Sequence, residues 1–301
     1  MTGLKEIETE GYLPVLVITA QPDKKLRVLK AGARDFISKP FDLAEVLARV
    51  RNLLEVRLLN FEMKKLNKKV LAEQKVSERL LHNVLPEAIA DRLKGRPKIV
   101  ADNSSEVIVE SFPDVTVLFS DIVGFKKFSE GVSTDILVEV LNEIFTHFDS
   151  IADHRGVEKI KTIGDSYMAA AGLPIQAPNH AERAAHMALD MLEVMDRFNA
   201  QSHYQLDIRI GISTGAAIAG VIGKRKFLYD LWGDVVNTAS RMESHGVAGR
   251  IQITDATRLC LGDTFLLENR GSIAVKGKGE MNTWFLGRRN DPLMAQQSAV
   301  I

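Results

Sequence analysis

Two aspartates stand where apolar strands end. Asp121 closes the run VTVLFSDI, and Asp165 sits at a tight turn in TIGDSY. Carboxylates are hard oxygen donors, so such a pair could hold magnesium, with water and a substrate phosphate completing the shell. Asp is also common in turns, and either acid taken alone reads better as a turn cap. The stretch after Asp121, IVGFK, offers backbone N–H groups at Val123, Gly124 and Phe125 to phosphate oxygens. Lys161 alternates with apolar neighbours in VEKIKTIG, which places it on the strand face of Lys159. Asp230 lies between Tyr229 and Leu231 in FLYDLWGD. A charge inside an apolar strand needs a partner, and a mutual salt bridge would satisfy both. Asn237 and Arg241 are four apart in GDVVNTASRMES, so a helix puts them on one face. An amide beside a permanent cation could hold a sugar and a transferring phosphoryl group; a solvated helix face is the common alternative. Lys276, in VKGKGE, suits phosphate contact or a basic β-turn.

These residues need elements to hold them. From about residue 113 to 289 the pattern is mixed. VTVLFSDI reads as a strand, residues 133–156 as an amphipathic helix capped by Ser133 or Thr134, and VEKIKTIG with DSYMAAAGL as a strand pair turning near Gly164. Residues 180–200 form a second long helix, 206–223 are strand-rich, and GDVVNTASRMES opens a third helix. The order is roughly βαββαβ, an α+β domain of ferredoxin-like type. Upstream, LPVLVITA and RDFISKPF alternate with helical stretches in a short parallel α/β unit. Residues 50–85 lack glycine and proline, and Val56, Leu59, Met63, Leu66 and Val70 recur three and four apart, in a register that reaches Leu80 and Val84. With Glu73 and Ser77 as polar interruptions, that is a heptad pattern for a short parallel coiled coil, a helix packed on its own domain being the alternative. The expected organisation is 1–58 α/β segment, 59–85 linker helix, 86–112 connecting segment, 113–289 main domain and 290–301 tail.

Composition narrows the function. Lysine plus arginine equals aspartate plus glutamate at 39 each among 301 residues. That balance gives no support to nucleic acid or an anionic membrane as partner. Cys260 is the one cysteine, so no disulfide forms within the chain. No stretch approaches the roughly 20 apolar residues of a membrane span, and the polar start MTGLKEIETEG has no secretory pattern. A cytoplasmic protein is the simplest expectation.

Together, LLHNVLPEAIADRLK, VTVLFSDIVGF, EKIKTIGDSYMAAAGLP, YDLWGDVVNTASRMES and VKGKGEMNTWFL resemble the catalytic domain of class III nucleotidyl cyclases over roughly residues 76–289. The resemblance implies two divalent metal ions, magnesium or manganese, on Asp121, Asp165 and the Ile122 carbonyl. Asn237 would orient the ribose, Arg241 would steady charge at the α-phosphate, and Lys276 would contact the terminal phosphates. Asp121 is a candidate base for the 3′ proton, with water or the substrate's own phosphate as alternatives. Lys161 and Asp230 match the purine-selecting pair. A lysine donates and an aspartate accepts, which suits adenine's N1 acceptor and N6 donor; guanine would leave both mismatched. The guanylyl members typically carry glutamate and cysteine there. The expected activity is therefore adenylyl cyclase acting on ATP, with guanylyl cyclase or a non-catalytic dimerising signalling module as alternatives. In the family the metal aspartates and the remaining site residues come from different protomers, which implies a homodimer through the cyclase domain and the linker helix. Residues 11–58 resemble the second half of a response-regulator receiver, with Thr19 and Lys39-Pro40 as its switch threonine and phosphate-contacting lysine. The acidic pocket of such a domain would lie upstream of Met1, so a phosphorelay input is expected only if the receiver is complete there.

Overall fold

The computed structural model describes residues 13–21, 25–95, 108–223 and 226–287. The expected tail and the middle of the connecting segment, 96–107, lie outside the described residues. The chain divides into two compact units, the second starting at Leu81.

The first unit contains strands β1 (Leu16–Thr19) and β2 (Asp35–Ser38), paired in parallel, with helix α1 (Lys25–Lys30) between them. Helix α2 (Leu43–His82) then runs for 40 residues. It passes the expected boundary at residue 58 without a break, because nothing there interrupts backbone hydrogen bonding. No residue of α2 is buried, and Val56, Leu59, Met63, Leu66, Val70 and Leu80 are all exposed. Val84 lies beyond the end of the helix, in a turn where its N–H donates to the Leu81 carbonyl. The helical register therefore stops short of it.

In the second unit, Pro86 precedes helix α3 (Glu87–Lys94), which buries Ile89, Ala90 and Leu93. Strand β3 (Val109–Val123) follows, then α4 (Phe125–Gly131), α5 (Thr134–Arg155), β4 (Glu158–Ile163), β5 (Ser166–Ala171), α6 (His180–Gln201) and β6 (Asp207–Ile222). Ser133 takes the N-cap position of α5, although its side chain makes no capping bond. The sheet order β4-β5-β3-β6, antiparallel throughout, is the expected βαββαβ arrangement. Beyond it, β7 (Leu228–Trp232) folds back on β6, and helix α7 spans Asp234–Ser244. Strand β8 (Ile251–Thr254) joins parallel to β6, helix α8 (Asp255–Leu261) follows, and β9 (Leu266–Val275) pairs with β10 (Gly279–Gly287).

Both faces of the sheet are covered, so strand residues alternate between two cores. Leu118, Ile122, Tyr167, Ala169, Ile210 and Ile212 pack with Ile144, Phe148, Met187 and Met191 of α5 and α6. Val117, Phe119, Met168 and Ala170 pack with Ile89 and Leu93 of α3 and with Val235 and Ala239 of α7. At one point α7 rests on bare backbone. A Cβ at Gly211 of β6 would lie 2.0 Å from the Glu243 nitrogen and 2.5 Å from the Ala239 oxygen. Only glycine permits that approach.

Candidate active site

The centre of the site follows from strand pairing. Asp121 is near the end of β3, and the residues directly opposite it are Ser166 on β5 and Arg209 on β6. Cross-strand neighbours lie within side-chain reach. Ser166 Oγ donates to Asp121 Oδ1 at 2.7 Å, and Arg209 Nη2 donates to Oδ2 at 2.9 Å. Asp165 sits in the β4–β5 turn beside Gly164, whose φ of 63° is the left-handed conformation that glycine adopts without strain. Burial raises the Asp165 carboxyl above its ordinary range, and the nearby Asp121 charge raises it further. The two acids thus share one place. They are hard donors whose mutual repulsion a cation would relieve, so the donor set fits magnesium or manganese. Among the described residues no group of three or more His, Cys, Asp and Glu is placed to cage a metal ion. A cation held here would draw its remaining ligands from backbone, water and substrate.

Strand β3 extends to Val123, which pairs with Asp207. The expected loop therefore shrinks to Gly124, at φ 73°, before Phe125 opens α4. Val123, Gly124 and Phe125 lie next to Asp121 along the chain, but the extended backbone of Val123 belongs to the sheet.

Lys161 and Asp230, 69 positions apart, are brought together. Lys161 Nζ donates to Asp230 Oδ2 at 2.5 Å, while Asp230 Oδ1 accepts from the Leu231 N–H at 2.9 Å. The side chain of Asp230 is 11% exposed and that of Lys161 is 30% exposed. The mutual bridge is thus present, and it sets a donor and an acceptor side by side. Lys159 takes a different partner, Asp149, at 2.7 Å. A register shift against β5 between Lys159 and Lys161 breaks the simple alternation that had put both lysines on one face.

Asn237 and Arg241 lie one turn apart on α7, both exposed and without a side-chain partner among the described residues. Lys276 occupies the second position of a turn closed by Lys278 N–H to the Val275 carbonyl at 2.9 Å. Gly277, at φ 81°, supplies the third position, as a type II turn requires. Lys278 is committed to Asp234 in the first turn of α7, whereas Lys276 is exposed.

Three contributors escaped the sequence reading. Ser166 holds Asp121. Arg209 bonds Asp121 and also, through Nε, Glu243 Oε1 at 2.6 Å. Glu243 is buried on α7; its carboxyl is raised by that burial and lowered by Arg209. Arg209 is a charge inside the apolar run LDIRIGIS, the same signal that singled out Asp230. Ser166 left no such mark.

The sequence model of the adenylate and guanylate cyclase catalytic domain matches residues 107–288. This chain belongs to that family. An adenylate cyclase from Mycobacterium bovis is 43% identical over 219 residues, covering 72% of this chain and 48% of the relative. The chain therefore spans about half the length of that curated relative. Among solved structures, the guanylate cyclase domain of RhGC from Catenaria anguillulae, in complex with GTP, matches at TM-score 0.58 and 40% identity, covering 60% of this chain and 99% of that one. The adenylyl cyclase CyaB from P. aeruginosa matches at TM-score 0.56 and 32% identity, covering 61% and 98%. Cyclase domains of this family use divalent metals, bind nucleotide and act as dimers. The cyclase match begins downstream of α2, so the first unit lies outside it. No helix among the described residues is long and apolar enough to cross a membrane.

Proposed function

We propose that this chain is an adenylyl cyclase that converts ATP to 3′,5′-cyclic AMP and pyrophosphate at two sites shared between the chains of a homodimer. One observation carries the choice of nucleotide: the Lys161–Asp230 bridge at 2.5 Å. It presents one donor and one acceptor at the spacing of a purine edge. Adenine offers an acceptor at N1 and a donor at its amino group, so both groups transfer their bonds to it. Guanine offers the opposite pattern and would leave both unpaired.

The reaction joins the ribose 3′ oxygen to the α-phosphorus while the bond to pyrophosphate breaks, and the 3′ proton is lost. Asp121, Asp165 and the Ile122 carbonyl would hold two divalent ions. Bound there, the ions supply charge for the attacking oxygen and for the leaving pyrophosphate. Arg241, a permanent cation, stabilises charge growing on the α-phosphate. Asn237, one turn away, orients the ribose, and exposed Lys276 meets the terminal phosphates. Asp121, water or the substrate's own phosphate takes the 3′ proton. The side chains of Arg241 and Asn237 are exposed and have no partner among the described residues, as expected of groups that complete a site on a second chain. Two-fold symmetry then makes two equivalent sites. The exposed apolar row on α2 supports dimerisation along that helix. In this reading the first unit, a parallel β1–β2 pair with α1 between, is half of a receiver, with phosphorelay input only if a complete receiver is present.

The test is incubation with ATP and, separately, GTP, each with magnesium and with manganese, followed by chromatography of the cyclic product. Cyclic AMP as the main product is expected. No product from either nucleotide, or a preference for cyclic GMP, would refute the proposal.

A further inference from the structure

A cavity of about 490 Å³ in the second unit is bounded by residues 82–86, where α2 turns toward α3, by Asp149 and Asp153 of α5, by Glu158 and Ile160 of β4 and by Tyr229 of β7. That volume suits a small organic molecule. Ile160 and Tyr229 each precede a purine-reading residue, so the cavity adjoins the strands that carry Lys161 and Asp230 and contains neither side chain. Tyr229 is 4% exposed, and its hydroxyl is buried with no hydrogen-bond partner among the described residues. Buried hydroxyls are normally paired, because an unmade bond costs their desolvation in full. The charge around the cavity is uneven. Asp149 is satisfied, by the Tyr167 hydroxyl at 2.8 Å and by Lys159 at 2.7 Å. Glu158 is not: burial first, and then the Asp153 charge, push its carboxyl up to about 7, and no cation offsets them. Burial and the charges of Glu158 and Glu110 raise the Tyr229 phenol as well, with Arg92 opposing them least, since it is bonded to Glu110 at 2.6 Å.

We propose that this cavity is a binding site for a small organic cation, an alkylammonium whose charge lies against Glu158 and Asp153 and whose N–H groups reach the Tyr229 hydroxyl oxygen. An ammonium carries donors only, and carboxylates and a phenol oxygen accept. Its bond to an ionised carboxylate is of the strong, charge-assisted kind. Val84, Leu85, Ala152, Val157 and Ile160 line the same cavity and would cover the carbon chain. A bare metal ion fits less well. Among the described residues no group of three or more His, Cys, Asp and Glu is placed to cage one, and the cavity is far larger than an ion. The site stands apart from the choice of nucleotide and from the sharing of sites between chains.

Calorimetric titration of the whole chain with 1,4-diaminobutane tests the site without nucleotide or turnover. The titration is run at pH 8, where Glu158 carries its charge. Saturable binding of one diamine per chain is expected. The neutral counterpart of the same length, 1,4-butanediol, should give no saturable heat. Glu158→Gln keeps the shape of the wall and removes the charge, and should weaken the diamine at least about tenfold. Tyr229→Phe removes only the hydroxyl oxygen and should weaken it about threefold to tenfold. Thermal melting establishes that both variants are folded; should Glu158→Gln fail to fold, Asp153→Asn replaces it with the same tenfold expectation. Absence of saturable binding by the diamine would overturn the proposal. So would equal binding of the diol, or undiminished affinity in either folded variant.

Discussion

Exchanging the purine-reading pair should reverse nucleotide preference by an amount the structure bounds. Lys161→Glu with Asp230→Cys replaces a donor beside an acceptor with the opposite pattern. Glutamate accepts from guanine N1–H, and the thiol donates to O6. In the natural pair, guanine leaves two polar groups unmatched at about 1–3 kcal/mol each, or about 2–6 kcal/mol together. At about 1.4 kcal/mol per factor of ten, that is roughly 30-fold to 20,000-fold in relative kcat/KM. Asp230 is nearly buried and should show the full effect, whereas Lys161 is 30% exposed and water softens its mismatch. The expectation therefore falls toward the lower end. The assay is kcat/KM for ATP and for GTP in both proteins, with thermal melting to establish that the exchanged protein is folded. The natural chain should favour ATP, and the exchanged chain should shift toward GTP by at least about 30-fold in the ratio. A ratio that stays put in a folded variant would mean that Lys161 and Asp230 form a structural bridge only, and the argument for ATP would lose its foundation.

Three further outcomes are expected. Burial first, and then the nearby Asp153 charge, push Glu158 up to about 7. A raised carboxyl costs stability as pH climbs from the unfolded value to about 7, so Glu158→Gln should raise the melting midpoint by several degrees at pH 8 and hardly at pH 5; equal gains at both pH values would contradict this. Gly211→Ala drives a methyl into the α7 backbone and should cost about 1–3 kcal/mol of stability in chemical denaturation, along with most of the activity; a neutral result would mean that α7 shifts freely. Leu66→Glu introduces a charge into the exposed apolar row of α2 and should weaken dimerisation at least tenfold in sedimentation equilibrium; an unchanged dimer would locate the interface elsewhere.

What could be read from the residues tracked how local the signal was. The strand pair around Gly164 and the helices at 134–155, 180–201 and 234–244 came through because apolar period and turn glycines act within a few residues. Lys161 and Asp230 were each marked by charge in an apolar strand, but no pattern revealed their distance. Arg209 carries the same mark, and its partners Asp121 and Glu243, 88 and 34 positions away, are likewise beyond the reach of any local pattern. The glycine at 211 was invisible for a similar reason: its necessity comes from a helix laid across it, not from its own turn. Helix α2 runs through the expected domain boundary at residue 58 because the residues there contain no break.

The direct seating of α7 on β6 has a consequence for control. Side chains between a helix and a sheet can repack, and a helix so mounted can tilt by small steps. Here backbone meets backbone at Gly211, and that freedom is missing. Each chain then presents its acids and its arginine as parts of one stiff body. If a site needs an acid from one body and an arginine from the other, the coordinate left to regulate is the angle at which the two bodies meet. A signal would switch the enzyme by misaligning two intact surfaces, with every bond inside each chain preserved, and the silent form would differ from the working form by a rotation.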